Sequence, residues 1–255
     1  MNREKMSFPQ VMVTGEQSIR FQFGEAINQE TYSYVQAFSQ LIIKRNHHLL
    51  AEIVPSYHAV TIYLKKEVAN SSLLIDELLM LWSMREVFTP TQLTSRQFQI
   101  PVCYDEKFSE DMDRIINITG LSREEVISLH TTTSYTVYMI GFLPGFPYLG
   151  ELPEALHVPR LGKPRLLVPK GTVGIGGNQT GIYPLESPGG WNILGRTPLD
   201  LYCPNRKEPF LLQAGDYLSF VPIPIEEYRE LEHQLAREPE AIYDLVKEES
   251  RCESI

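Results

Sequence analysis

Four cations stand in a stretch of this chain that holds no acid. Arg160, Lys163, Arg165 and Lys170 all fall between Ala155 and Leu185, and Arg196 follows. The chain as a whole carries a net charge of −9, so this local positive excess fits a small anion: carboxylate, phosphate or carbonate. Arginine presents a planar fork that matches an oxyanion with two donors, which favours Arg160, Arg165 and Arg196 over Lys163. Asn178, Gln179 and Thr180 add amide and hydroxyl groups on a glycine-rich turn, with Tyr183 close by in sequence. His130 stands at the entrance to this block and is the candidate proton shuttle. Cations brought together without an anion repel one another. The expectation is therefore that the three arginines and the 178–180 turn converge on one cleft, with His130 at its edge. A plainer reading stays beside it: solvated charges next to prolines, a turn stabilised by its own side chains, and a histidine capping a helix end.

These residues need elements to position them. Residues 141–200 hold twelve of the sixteen glycines and nine of the eighteen prolines, which implies short strands joined by shaped loops. Strand patterns run at Ser134–Gly141, Leu166–Val168, Val173–Ile175, Trp191–Leu194, Leu199–Tyr202, Phe210–Leu212 and Tyr217–Val221, the pattern of a closed β-barrel over 133–224. Phe142, Phe146, Tyr148 and Trp191 are candidate anchors of a partner interface, because aromatic side chains dominate interfaces when they fill pockets. The competing reading places them in the barrel core.

The first 104 residues read as an α/β domain. A strand at Ser18–Phe23 is followed by a helix over Asn28–Arg45 with Asn28 as its cap. Strands at Leu49–Val54 and His58–Leu64, a helix over Ser71–Val87 and a strand at Arg96–Cys103 complete the order β-α-β-β-α-β. That order is ferredoxin-like and leaves one sheet face to be covered. Residues 105–132 read as a helical connector, with Ser122 and Glu125 in a capping box. Residues 225–255 read as an acidic helical tail. The fold class expected is α+β.

Composition excludes several classes. An acidic chain lacks the electrostatic footprint for nucleic acid. No apolar run is long enough to span a bilayer, and the opening MNREKMSFPQ has no apolar signal core, so a cytoplasmic home is expected. Cys103, Cys203 and Cys252 are widely spaced, the six histidines are scattered, and no metal site is expected.

The runs HTTTSYTVYMIGFLPGFPYLGELP, VPRLGKPRLLVPKGTVGIGGNQTGIYP and ESPGGWNILGRTP closely resemble the bacterial family of 5-oxoprolinase B subunits, also called the KipI or allophanate hydrolase subunit 1 family. The resemblance implies that the C-terminal barrel is cyclophilin-like. It implies one component of an ATP-dependent 5-oxoprolinase, which opens 5-oxo-L-proline to L-glutamate through a composite site with a KipA-like C subunit and an A-like subunit. It also implies an alternative, a KipI-like inhibitor of a sporulation sensor histidine kinase. GTVGIGG has neither phosphate-loop pattern, so ATP with Mg2+ is expected at the level of the complex. Two departures stand out: Ser109 and Glu110 replace a Gly-Pro at the domain junction, and Lys170 occupies a position that is usually small.

Overall fold

The structure is a computed structural model, described here for residues 9–26, 28–65, 71–84, 95–246 and 249–251. It divides into two compact units, Met1–Leu93 and Thr94–Ile255.

In the first unit β1 (Gln10–Gly15) and β2 (Ser18–Gln22) form a hairpin. Helix α1 (Gln29–Arg45) starts where the Asn28 side chain accepts the Thr31 amide at 2.8 Å and stops at Asn46, which adopts left-handed φ of 46°. Strands β3 (Leu50–Pro55) and β4 (Ala59–Leu64) and helix α2 (Ser71–Ser83) follow. Val35, Phe38 and Ile42 recur at helical spacing on α1 and are fully buried against Ile19 and Phe21 of β2 and Ile62 of β4. Trp82 closes this core, edge-on to Phe23 at 5.0 Å.

The sheet order is β1-β2-β4-β3, all antiparallel. Strands β2, β4 and β3 keep the order expected of a split βαβ. The fourth place is filled by β1, and the strand expected there belongs elsewhere. Strand β1 sits one tight turn from β2, so its pairing closes a very short loop at little entropic cost. It was not legible as a strand because its side chains bury little; Met12 and Val13 are 42% and 59% exposed.

The expected last strand of that domain, β5 (Ser95–Val102), lies in the second unit. There it runs parallel to a later strand, β13 (Tyr217–Pro222), with Phe98 opposite Leu218 and Ile100 opposite Phe220. After it come α3 (Met112–Thr119) and α4 (Arg123–Thr132), the latter opened by the Ser122–Glu125 capping box. Strands β6 (Tyr135–Ile140), β7 (Pro147–Gly150), β8 (Arg165–Val168), β9 (Thr172–Gly176), β10 (Gln179–Ile182), β11 (Ser187–Gly189), β12 (Asn192–Arg196) and β13 (Tyr217–Pro222) lead to α5 (Ile225–Arg237), α6 (Ile242–Leu245) and β14 (Glu249–Arg251). The main sheet runs β12-β9-β10-β7-β6-β13-β5-β14, and β8 pairs with β11 as a separate two-stranded flap. The sheet curls until Cys103, just past β5, meets Arg196 at the end of β12. The two exchange backbone hydrogen bonds of 2.8 and 3.0 Å.

The acidic tail is not one helix. Pro239 opens a 3-10 turn after α5, and the chain then forms α6 and the edge strand β14. The expected strands at Leu199–Tyr202 and Phe210–Leu212 reduce to one bridge between Tyr202 and Phe210. Val87, where the second helix was expected to end, lies outside the described residues.

Candidate functional site

Strand β9 carries Gly174 and Gly176 two residues apart, hence on one face. On the neighbouring strand Gly181 pairs opposite Gly174, which puts it on the same face. Together they leave a patch of sheet without side chains, and the indole of Trp191 occupies it. A Cβ at Gly176 would stand 3.1 Å from the Trp191 ring, and one at Gly181 would stand 2.9 Å from it and 2.9 Å from the Pro147 carbonyl. Trp191 is thereby buried, and its ring packs with Phe146, Tyr183, Val168 and Ile193. The guanidinium of Arg160 lies 5.4 Å over the centre of that ring, a cation–π contact. Its Cγ is in turn the atom that a Cβ on Gly176 would strike, at 3.0 Å.

Arg160 is exposed and, among the described residues, has neither an ion pair nor a hydrogen bond. Its field reaches Tyr148 and Tyr183. Burial pushes both phenols up in pKa. At Tyr148, Arg160 opposes the rise; at Tyr183, the Trp191 amide opposes it first, then Arg160 and Arg165. A fixed, uncompensated cation beside a half-buried phenol can receive a carboxylate or another oxyanion.

Arg165 also borders Tyr183 but is committed elsewhere. Its Nη2 is 2.7 Å from Asp111 Oδ1, with Glu110 at 3.6 Å. Asp111, just ahead of α3, accepts the Ile193 amide with its other oxygen at 2.6 Å, and its own amide donates to the Ile193 carbonyl at 3.2 Å. Arg165 therefore ties the flap strand β8 to α3 and β12. Arg196 lies over the ring of Phe108 at 4.8 Å, beside the cluster of Cys103, Phe108, Ile223 and Tyr228. Lys170 pairs with Asp200 at 2.7 Å on the surface.

The expected convergence forms only in part: Arg160 and Arg165 both border Tyr183, but Arg196 lies over Phe108 and His130 is enclosed. Of the turn residues only Asn178 is exposed, and its carbonyl accepts the Leu152 amide at 3.3 Å. Gln179 and Thr180 are buried. His130 is fully buried rather than at a cleft edge, stacked on Phe220 at 4.4 Å. Its Nδ1 is 2.8 Å from the Tyr104 hydroxyl and its Nε2 2.9 Å from Thr180 Oγ1. Thr180 gives its one proton to the Gly174 carbonyl at 3.1 Å, so Nε2 must donate and Nδ1 must accept from Tyr104. Burial lowers the His130 pKa to about 3. A neutral imidazole with both nitrogens engaged and no solvent contact positions the sheet; it does not shuttle protons to a ligand.

The candidate interface aromatics divide. Phe146 and Trp191 are buried, Tyr148 is half-buried, and Phe142 is 66% exposed. Two clefts of about 470 and 430 Å³ lie along α5 and beside Arg96 and Tyr243, and none of the expected site residues lines either. Among the described residues no cluster of three metal-ligating side chains occurs, and no helix is long and apolar enough to cross a membrane.

Sequence reasoning missed three parts of this arrangement: the glycine floor, the part played by Asp111, and Asn192. The floor had a signal, glycines two apart on one strand followed by a third across a tight turn. Asn192 had none. It is fully buried, takes Arg114 Nε at 3.0 Å, and donates to the Pro159 and Ile175 carbonyls at 3.1 Å each, fixing the strand after Trp191 to the segment before Arg160.

Comparison with known proteins agrees over most of the chain. The family described as carboxyltransferase domain, subdomain C and D, matches residues 9–212. The B subunit of 5-oxoprolinase from Escherichia coli O157:H7 is 44% identical over 173 residues, covering 68% of this chain and 78% of that protein. The protein of the same name from Bacillus subtilis (strain 168) is 34% identical over 232 residues, covering 86% and 95%. The crystal structure of TTHA0988 superposes with a TM-score of 0.68 at 36% identity; the match covers 81% of this chain but only 40% of that longer one.

Proposed function

This chain belongs to the carboxyltransferase-domain, subdomain C and D, family, and from that premise we propose that it is the B subunit of an ATP-dependent 5-oxoprolinase. The observation that carries the reading is the 34–44% identity to two proteins named as that subunit, over 68–86% of this chain. The proposed reaction adds water across the lactam C–N bond of 5-oxo-L-proline, giving L-glutamate, while ATP is hydrolysed to ADP and phosphate. The partners are a KipA-like C subunit and an A-like subunit in the cytoplasm, and ATP with Mg2+ is bound by the complex. In this reading the barrel is cyclophilin-like, and Arg160 on its Trp191 shelf supplies the oxyanion-binding group of a composite site.

A stable amide needs carbonyl activation, donors for developing negative charge and a base for water. The chain offers a cation and a phenol at the shelf but no nucleophile–base–orienter set there, which supports a site completed by other subunits. Co-expression with the candidate partners, followed by an assay for glutamate release with and without ATP, tests the reading. Glutamate is expected from the assembled complex with ATP and Mg2+. A complex that assembles but never forms glutamate would sink it.

A further inference from the structure

The flap is rooted at both ends yet presents its middle to solvent. Arg165 is held by Asp111, and Val168 is fully buried in the aromatic cluster around Trp191. Between them Leu166 is 88% exposed and Leu167 57%. Two adjacent bare leucines on a short strand are an apolar liability unless something covers them.

Phe142 adds a second anomaly. It is 66% exposed with φ of 66°, a left-handed conformation that is strained for an L-residue with a bulky side chain. Its loop is closed by Gly141 donating to the Phe146 carbonyl at 3.1 Å and Phe146 donating to the Leu143 carbonyl at 3.0 Å. The Phe142 ring meets Phe146 edge-on at 5.8 Å. Gly145 of the same loop packs against Tyr202, where a Cβ would come within 2.9 Å of the Tyr202 Cβ, and the Tyr202 ring packs at a tilt on the 47%-exposed Phe210, 5.0 Å between centres. Flap and loop thus share the aromatic cluster as their base and carry apolar groups outward from it. A strained aromatic held toward solvent is the pattern of a functional surface.

We propose that Phe142, Leu166 and Leu167 are the anchors by which this chain docks a second polypeptide, the counterpart of the part of TTHA0988 that this chain does not match. The inference rests on the B-subunit reading above. In TTHA0988 the matched region is 40% of one continuous chain, so the remainder is held close by covalent linkage. Linkage raises effective concentration and lets a weak interface suffice. On the B-subunit reading the partner is a separate polypeptide, so affinity must come from the surface itself, and buried apolar and aromatic anchors are what supply it. Arg160 and Lys163 are exposed and, being on the segment that leads into the flap, are suited to its polar rim.

The test is association of this full chain with the polypeptide of the same genome homologous to the unmatched part of TTHA0988, followed by light scattering and calorimetry. The double variant Leu166→Glu, Leu167→Glu is expected to raise Kd at least roughly tenfold, and Phe142→Asn to raise it in the same direction. Melting temperatures should not fall, since these side chains are exposed and asparagine suits the left-handed φ at 142 better than phenylalanine does; the milder pair Leu166→Gln, Leu167→Gln covers the case in which the glutamates disturb folding. Met80→Glu, at an exposed methionine on α2, should change nothing. Wild-type association that survives the flap and loop variants overturns the docking surface and leaves the B-subunit reading standing. No association of the wild-type chain overturns both. A wild-type homodimer that the variants dissociate, with the other polypeptide still bound, makes a second copy the occupant and overturns the proposal.

Discussion

Arg165 holds Asp111 at 2.7 Å while the same carboxylate takes the Ile193 amide at 2.6 Å. An arginine that composition marks as an anion-binding candidate thus has its anion already, supplied by the chain. Asp111→Ala removes the partner of a mostly buried guanidinium and orphans a buried amide, so unfolding free energy should fall by about 3 kcal/mol. Arg165→Ala leaves Asp111 its backbone bond, and Arg165 is about a quarter exposed, so its loss should be nearer 1–2 kcal/mol after solvent screening. Urea midpoints at neutral pH measure both. An Arg165→Ala variant with undiminished stability but no turnover in the assembled enzyme would return Arg165 to the ligand site.

His130 makes stability depend on pH. Its folded pKa, about 3, lies below the ordinary 6.5 because burial disfavours the imidazolium. The unfolded chain takes up a proton as pH falls through 6.5 and the folded chain does not. The stabilising effect is therefore complete above about pH 6.5 and is lost toward pH 3, by up to about 1.4 kcal/mol per pH unit. His130→Gln should be less stable than wild type at pH 7 and show a flatter decline between pH 6 and 4, measured by denaturant titration at each pH. An unaltered slope would mean that His130 is not the group responsible. A neutral, enclosed imidazole also predicts that no inflection in the pH–rate profile between 5 and 8 disappears with this variant.

What the sequence made legible follows from where each signal lives. Local signals were readable: the Asn28 cap, the Ser122–Glu125 capping box and the alternating strand of Phe98, Ile100 and Val102 all depend on residues within a few positions. Pairing was not. Strand β5 has the same side-chain pattern whether it joins the first sheet or runs beside β13; in the structure β1 holds the edge of β2 and β5 pairs with β13. For the site, Arg160 was identifiable as a cation without nearby acids in sequence. Asp111, fifty-four positions from Arg165, could not be foreseen as its partner, and the direction of Arg196 toward Phe108 depends on the curl that closes the sheet.

The glycine floor predicts an asymmetry among glycine substitutions. Gly181→Ala places a methyl 2.9 Å from both the Pro147 carbonyl and the Trp191 ring, and neither can yield without moving the core. A loss of about 2 kcal/mol or more is expected from overpacking. Gly162→Ala meets nothing within 4 Å and its φ is not left-handed, so it should be neutral or stabilising by up to about 1 kcal/mol. Trp191 is one of two tryptophans, so in a Trp82→Phe background its emission should shift for Gly181→Ala and stay fixed for Gly162→Ala. Equal stabilities for the two variants would remove the floor from the account.

The shelf predicts a charge-selective effect at Arg160. In the proposed 5-oxoprolinase complex, Arg160→Gln should raise KM for 5-oxoproline by roughly ten- to a hundredfold, the loss of a charge-assisted contact of about 1.4–2.7 kcal/mol. Stability should change by no more than about 1 kcal/mol, the range of an exposed cation–π contact. The proposed partner of the guanidinium is the substrate carboxylate, so the neutral amide of 5-oxoproline should be processed equally by wild type and variant. Ionic strength gives an independent handle. Salt screens an exposed cation, so KM of the wild type should climb with added salt while that of Arg160→Gln stays nearly flat. If the acid and its amide lose equally in the variant, Arg160 does not read the carboxylate. If instead kcat falls with KM unchanged, the guanidinium acts on the developing charge of the ring carbonyl, and the shelf faces the reacting centre rather than the carboxylate end of the substrate.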